Sequence, residues 1–176
     1  MDKHEQPHQC RILLDSGSQV NYLTERMTTI LGILKQRTSV PISGINNLRT
    51  VARDKVEVEF QSRCSEYQAK LECLVTPEIT GRVPSATIDI EGWNIPSNIM
   101  LADPKFFRPE KIDMLIGIEL FFNILKPNSI TNDDNLPELR DSHLGWLVTG
   151  MVNSHEMERY SQVANQLRSR CSNFGK

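Results

Sequence analysis

The residues with chemical content are Asp15, Ser16 and Gly17, which follow the apolar run Ile12-Leu13-Leu14. An ionised carboxylate at the end of a buried strand is costly unless hydrogen bonds hold the charge or the proton stays on. Gly17 permits a sharp turn that sets its N–H beside the carboxylate, and the Ser16 hydroxyl can bond neighbouring main chain and hold the loop. Such a carboxylate becomes useful when a second one shares its site. Two carboxyl groups about 3 Å apart cannot both ionise, so they share one proton and activate a water between them. The plain alternative is a turn closing a strand, because Asp, Ser and Gly are common turn formers. The large aliphatics directly ahead of Asp15 weigh against that alternative.

Other chemistries have less support. A serine nucleophile lacks its Gly-x-Ser-x-Gly setting. Cys73 with His143 would be a nucleophile and a base, but a cysteine in an apolar strand is more often a core residue. His4, His8 and Cys10 fit none of the common zinc spacings, so no metal is expected. Asp103 and Asp113 flank Phe106-Phe107 and read as loop-capping or solvated carboxylates.

The elements that must position Asp15 follow from patterning. Residues 10–14 read as a short apolar strand. Residues 21–31 read as a helix with Leu23, Met27, Ile30 and Leu31 on one face and Gly32 as a left-handed cap. Val56, Val58 and Phe60 alternate with charged residues, which predicts a half-exposed strand, and residues 67–76 predict another. Residues 77–109 are rich in proline and aperiodic, an irregular excursion with its own apolar anchors. Trp93 and Trp146 are expected to anchor the core. Residues 112–125 predict a buried strand ending at Gly117 and then a short helix. Residues 144–149 predict a last strand after a polar loop at 132–135. From Asn153 an amphipathic helix is expected, with Glu156 completing a capping box and Met157, Tyr160, Val163 and Leu167 on its apolar face. The sum is a mostly-β domain with a few short helices.

Composition bounds the function. The chain has 176 residues with 39% hydrophobic and 24% charged, enough for one domain with a real core. Twenty basic residues against 22 acidic ones leave a net charge of −2, so neither nucleic acid nor a membrane surface is an expected partner. No apolar stretch is long enough to span a bilayer, and the polar leader does not read as a secretory signal. The four cysteines, Cys10, Cys64, Cys73 and Cys171, are too sparse for a disulfide scaffold and point to reduced thiols in the cytoplasm.

The run Leu13-Leu14-Asp15-Ser16-Gly17-Ser18-Gln19 resembles the active-site strand and loop of retropepsin-type aspartic proteases. More specifically, the chain resembles the aspartic peptidase domain of BEL/Pao-type LTR retrotransposon polyproteins. The matching pieces run in order: Leu14 to Asn21, Ile42-Ser43-Gly44-Ile45, Leu101-Ala102-Asp103-Pro104, Ile112 to Gly117, and Leu144 to Gly150. The resemblance implies a retropepsin-like closed β-barrel over residues 10–152, a polar leader over 1–9, and a C-terminal helix or linker over 153–176. It makes Asp15 the catalytic aspartate, Ser16 the hydroxyl that locks two active-site loops together, and Gly17 the turn. Ser43, Gly44 and Ile45 fall where a flap would close on substrate. Met114-Leu115-Ile116-Gly117 would be the apolar strand and glycine that pass beneath the catalytic loop.

The chemistry needs two carboxylates, yet the chain holds one Asp-Ser/Thr-Gly. Asp141-Ser142 runs into His143, and Asp103-Pro104 cannot make the same turn. The expected active form is therefore a homodimer with Asp15 from each subunit, an endopeptidase that processes a retrotransposon polyprotein without metal or cofactor. Its setting would be the cytoplasm or the element's virus-like particles. The alternative is an inactive retropepsin-like module for dimerisation or peptide binding by strand addition. It is favoured by the few apolar residues ahead of Asp15, where the resemblance implies a further strand.

Overall fold

The computed structural model describes residues 7–44, 49–131 and 136–150. The chain is mostly β. Its strands are β1 (Ile12–Leu14), β2 (Tyr22–Thr24), β3 (Gln36–Ser43), β4 (Arg49–Gln61), β5 (Gln68–Thr76), β6 (Met114–Ile116), β7 (Leu125–Ile130), β8 (Glu138–Ser142) and β9 (Leu147–Thr149). Among the described residues there are two helices: α1 (Glu25–Leu31) follows β2 directly, and α2 (Ile118–Ile124) follows β6 after Gly117. The expected helix after Asn153, the loop at 132–135, Ile45 and most of the leader lie outside the described residues.

Six strands form a mixed sheet in the order β1-β6-β2-β5-β4-β3, and β7-β8-β9 form a second, antiparallel sheet. The described residues do not form the expected closed barrel. Closure requires the end strands to pair with each other; among the described residues β1, three residues long, pairs with β6 alone, and β3 pairs with β4 alone.

Alternation builds the middle of the sheet. Val56 faces Cys73 and Val58 faces Leu71 across the β4–β5 ladder, and all four are buried. The opposite face of the same pair sets Glu57 against Glu72, and Lys70 at 2.5 Å from Glu57 with Lys55 at 2.7 Å from Glu72 offset that repulsion. Leu23, Met27, Leu31, Met114, Ile116 and Ile124 complete the core, with Ile12 and Leu14 packed against it.

The expected helix over 21–31 is half strand. Residues 22–24 form β2 because they find two partners: Tyr22 and Leu23 pair with β6 on one side, and all three pair with β5 on the other. That pairing outweighs the helical spacing of the apolar residues. The helix then begins where Thr24, in an extended conformation, caps Met27 N–H through its hydroxyl at 3.3 Å. It ends at Gly32 with φ 62°, the left-handed cap. Ile30, expected on the buried face, is 38% exposed because the shortened helix turns Met27, Thr28 and Leu31 inward.

The last strand is also shorter than 144–149. The Ser142 hydroxyl holds a turn over Leu144 and Gly145, accepting from Leu144 N–H at 3.1 Å and donating to Gly145 C=O at 2.5 Å. Residues 77–110 form the irregular excursion, and none of them is fully buried. Trp93 accordingly does not reach the core; it stacks on Phe106 with centroids 5.8 Å apart. Trp146 is half-buried, and its main chain bonds Met100 and Ala102 at 2.9 Å each. Among the described residues no helix is long and apolar enough to cross a membrane.

Candidate active site at the Asp15 loop

Asp15 extends the β1–β6 ladder by one step, donating its N–H to Ile116 C=O at 3.0 Å. With Ile12 and Leu14 turned to the core, period-two alternation places Leu13 and Asp15 on the other face. Asp15 is half-buried, while Ser16 and Gly17 are exposed. The chain turns at once: Ser18 N–H bonds Asp15 C=O at 3.2 Å, and Gly17 N–H bonds Asp15 Oδ1 at 2.9 Å. Among the described residues Gly17 N–H is the carboxylate's one donor. A partly open carboxylate is thus oriented by its own loop.

The loop rests on β6 and α2. Ser18 Oγ donates to Val20 C=O at 2.7 Å, and Ser18 C=O accepts from Ile118 N–H at 2.8 Å. Gly117 lies directly below, so close that a side chain there would strike the Ser18 and Val20 carbonyls. Its N–H donates to Asn21 Oδ1 at 2.9 Å, and Asn21 Nδ2 donates to Glu72 C=O at 3.2 Å and Glu119 Oε2 at 3.0 Å. Asn21, 3% exposed, therefore joins β5, β6 and α2 behind the loop. As a sequence feature it reads as the start of a helix; its polar side chain among apolar neighbours is the one signal of this bracing role.

Ser43 and Gly44 stand at the end of β3, on the sheet edge opposite β1, and both are exposed. Ser43 pairs with Arg49 as the last step of the β3–β4 ladder, and Ile45 falls outside the described residues. Within one chain no hydrogen bond or ion pair joins Ser43 or Gly44 to Asp15, Ser16 or Gly17 among the described residues.

Asp113 departs from the solvated role expected of it. It is buried, with Oδ2 accepting from Arg11 N–H at 3.1 Å and Oδ1 paired with the Arg26 guanidinium. Burial of a carboxylate is tolerated because both oxygens meet donors. Asp103 does cap a turn, accepting from Lys105 N–H at 2.8 Å, and also binds Arg11 Nε at 2.6 Å. Arg11 is a functional candidate that sequence patterning passes over, although a lone cation adjoining an apolar strand is an unusual placement.

The thiol alternative has poor geometry. Cys73 is wholly buried, and burial, followed by the Glu119 and Glu72 charges, pushes its thiol up to about 12. His143 stacks on Tyr67 with centroids 4.9 Å apart, ahead of the start of β5. Cys73 lies six residues beyond Tyr67, a strand distance of about 20 Å. Cys10 is likewise raised to about 12, by burial first and then by the Asp113 charge. Among the described residues no group of three or more His, Cys, Asp or Glu side chains is placed to hold a metal ion.

Searches against protein-family models, curated proteins and solved structures find no match to this chain.

Proposed function

We propose that the chain is an aspartic endopeptidase of retropepsin-like fold, active as a homodimer in which two Asp15 carboxylates hold one water. The observation that carries this reading is the Asp15 loop itself. A half-buried carboxylate ends an apolar strand, its Oδ1 is held by Gly17 N–H, and the loop is seated against Gly117. An exposed Ser16 beside it is available to bond a second copy of the loop.

In the pair, one carboxylate takes a proton from the water as its oxygen attacks the scissile carbonyl carbon. The protonated carboxyl of the other protomer donates to the carbonyl oxygen. Collapse of the tetrahedral species breaks the C–N bond, and a carboxyl proton passes to the departing amine. The substrate class is an extended peptide segment, in a polyprotein context within the cytoplasm or a particle assembled there.

The test is hydrolysis of peptides spanning the chain's flanking polyprotein sequence, at several protein concentrations and over a range of pH. Asp15→Asn and a transition-state-mimic inhibitor of aspartic proteases accompany it. Specific activity that rises with concentration and vanishes in Asp15→Asn is the expected result. A folded dimer that cleaves nothing at any pH overturns the reading and leaves a peptide-binding module in its place.

A further inference from the structure

Arg11 stands four residues ahead of Asp15, on the same face of the extended chain, since Ile12 and Leu14 face the core. Its main chain belongs to the sheet: Asp113 N–H and Met114 N–H bond Arg11 C=O at 2.9 and 3.3 Å. Its side chain belongs to the excursion. Nε binds Asp103 Oδ2 at 2.6 Å, Nη1 binds the Val83 and Arg108 carbonyls at 2.6 and 3.1 Å, and Nη2 approaches the Lys105 carbonyl at 3.3 Å. The Arg11 N–H meets Asp113, whose other oxygen holds Arg26 of α1. One residue thus joins β1, β6, the excursion and, through Asp113, α1.

We propose that Arg11 is a positioning residue for Asp15, one that fixes the register and end-point of β1; the proposal rests on the aspartic peptidase reading. The need for it comes from β1 being three residues long and at a sheet edge, with β6 as its single partner among the described residues. Short edge strands open at low free energy. A slip of one residue along β6 would exchange the two faces and turn Asp15 toward the core. The β1–β6 ladder alone offers weak resistance to that slip. The Arg11 guanidinium supplies it, because its rigid fork meets three main-chain carbonyls and a carboxylate held at fixed spacing by the excursion. A lysine has the charge without the fork and cannot satisfy that set.

The test compares Arg11→Met, Arg11→Lys and Asp103→Asn in the full chain by residue-resolved amide exchange and by kcat and KM for peptide hydrolysis. In Arg11→Met the amides of Asp15, Gly17 and Ser18 are expected to exchange about tenfold or more faster, while those of β4 and β5 stay unchanged. The kcat value is expected to fall about tenfold to a hundredfold with KM within about twofold, as for a misplaced catalytic group. Arg11→Lys should recover only part of either loss. Unchanged exchange at the Asp15 loop, or equal acceleration there and in β4–β5, overturns the proposal, the latter showing a merely structural residue. If Arg11→Met does not fold, Asp103→Asn keeps an acceptor in place, and the same changes in exchange and kcat support or overturn the proposal. An unmodified protein without peptidase activity removes the enzyme reading, and the exchange comparison still decides whether Arg11 sets the loop.

Discussion

Gly117 and Ser18 meet main chain to main chain: a Cβ on Gly117 would sit 2.5 Å from the Ser18 carbonyl oxygen and 2.7 Å from that of Val20. Both obstacles are backbone atoms, so a side chain there is accommodated only by moving the loop that carries Asp15. Gly117→Ala is therefore expected to cost about 1–3 kcal/mol in stability, as overpacking does, and to abolish hydrolysis. Urea unfolding together with the peptide assay checks both, and an alanine variant of parental stability would show that the loop does not rest on this contact.

Asn21 supplies three hydrogen bonds from a buried position. Asn21→Ala leaves the Gly117 N–H and the Glu72 carbonyl without that partner, each orphaned group costing about 1–3 kcal/mol. A loss of roughly 2–4 kcal/mol in denaturant unfolding is expected. A loss below about 0.5 kcal/mol, the range of ordinary surface substitutions, would count against the bracing role.

Asp15 is bonded by one loop amide and is half-open. Asp15→Asn retains an oxygen for Gly17 N–H, so the unfolding free energy should change by less than about 1 kcal/mol while cleavage is lost. Thermal melts of the two proteins side by side test the separation. A large drop in stability would make Asp15 a structural carboxylate.

The thiols predict an ordered reactivity. Cys10 and Cys73 are held protonated to about 12, chiefly by burial, and Cys73 is wholly buried as well. Thiolate is the reactive form. At pH 8 an alkylating agent followed by peptide mapping should label Cys64, half-buried with its sulfur 3.6 Å from Leu101 C=O, before Cys10 and Cys73. Cys73 labelling should appear only with unfolding, and early labelling of Cys73 in the folded protein contradicts the packing.

The same two thiols set an alkaline limit. Folding raises each from 9.0 to about 12, so the folded chain holds these protons more tightly than the unfolded one. Their contribution to stability is complete below pH 9 and is lost as pH rises from there toward about 12. Unfolding midpoints should fall across that window, and less steeply in Cys73→Ala. An equal slope in the variant would remove Cys73 as a cause.

Much of the chain around Asp15 can be read locally. The alternation of Val56, Val58 and Phe60 states a strand because side chains on a pleat change faces at every residue. Gly32 states a helix end because the left-handed cap suits a residue without a Cβ. The apolar run to Gly117 states a buried strand and its stop, and Asp15-Ser16-Gly17 states a turn with a carboxylate folded onto the amide of Gly17. These are properties of neighbours within a few residues, so the local order of residue types is enough to specify them, and with them the mostly-β class.

The remainder depends on partners far away along the chain. Residues 22–24 become a strand because β5 and β6 come to both sides of them. Trp93 stays out of the core because the excursion is held at its polar points and buries little. Asp113 is buried, and Arg11 becomes a joint, through contacts spanning 87 to 102 residues. The open sheet follows from which strands find partners, a matter on which each strand's own pattern is silent. Periodicity records which face a residue turns inward, whereas the identity of what it meets there is set by chain closure over long loops, and that closure is where Asp15 acquires its setting.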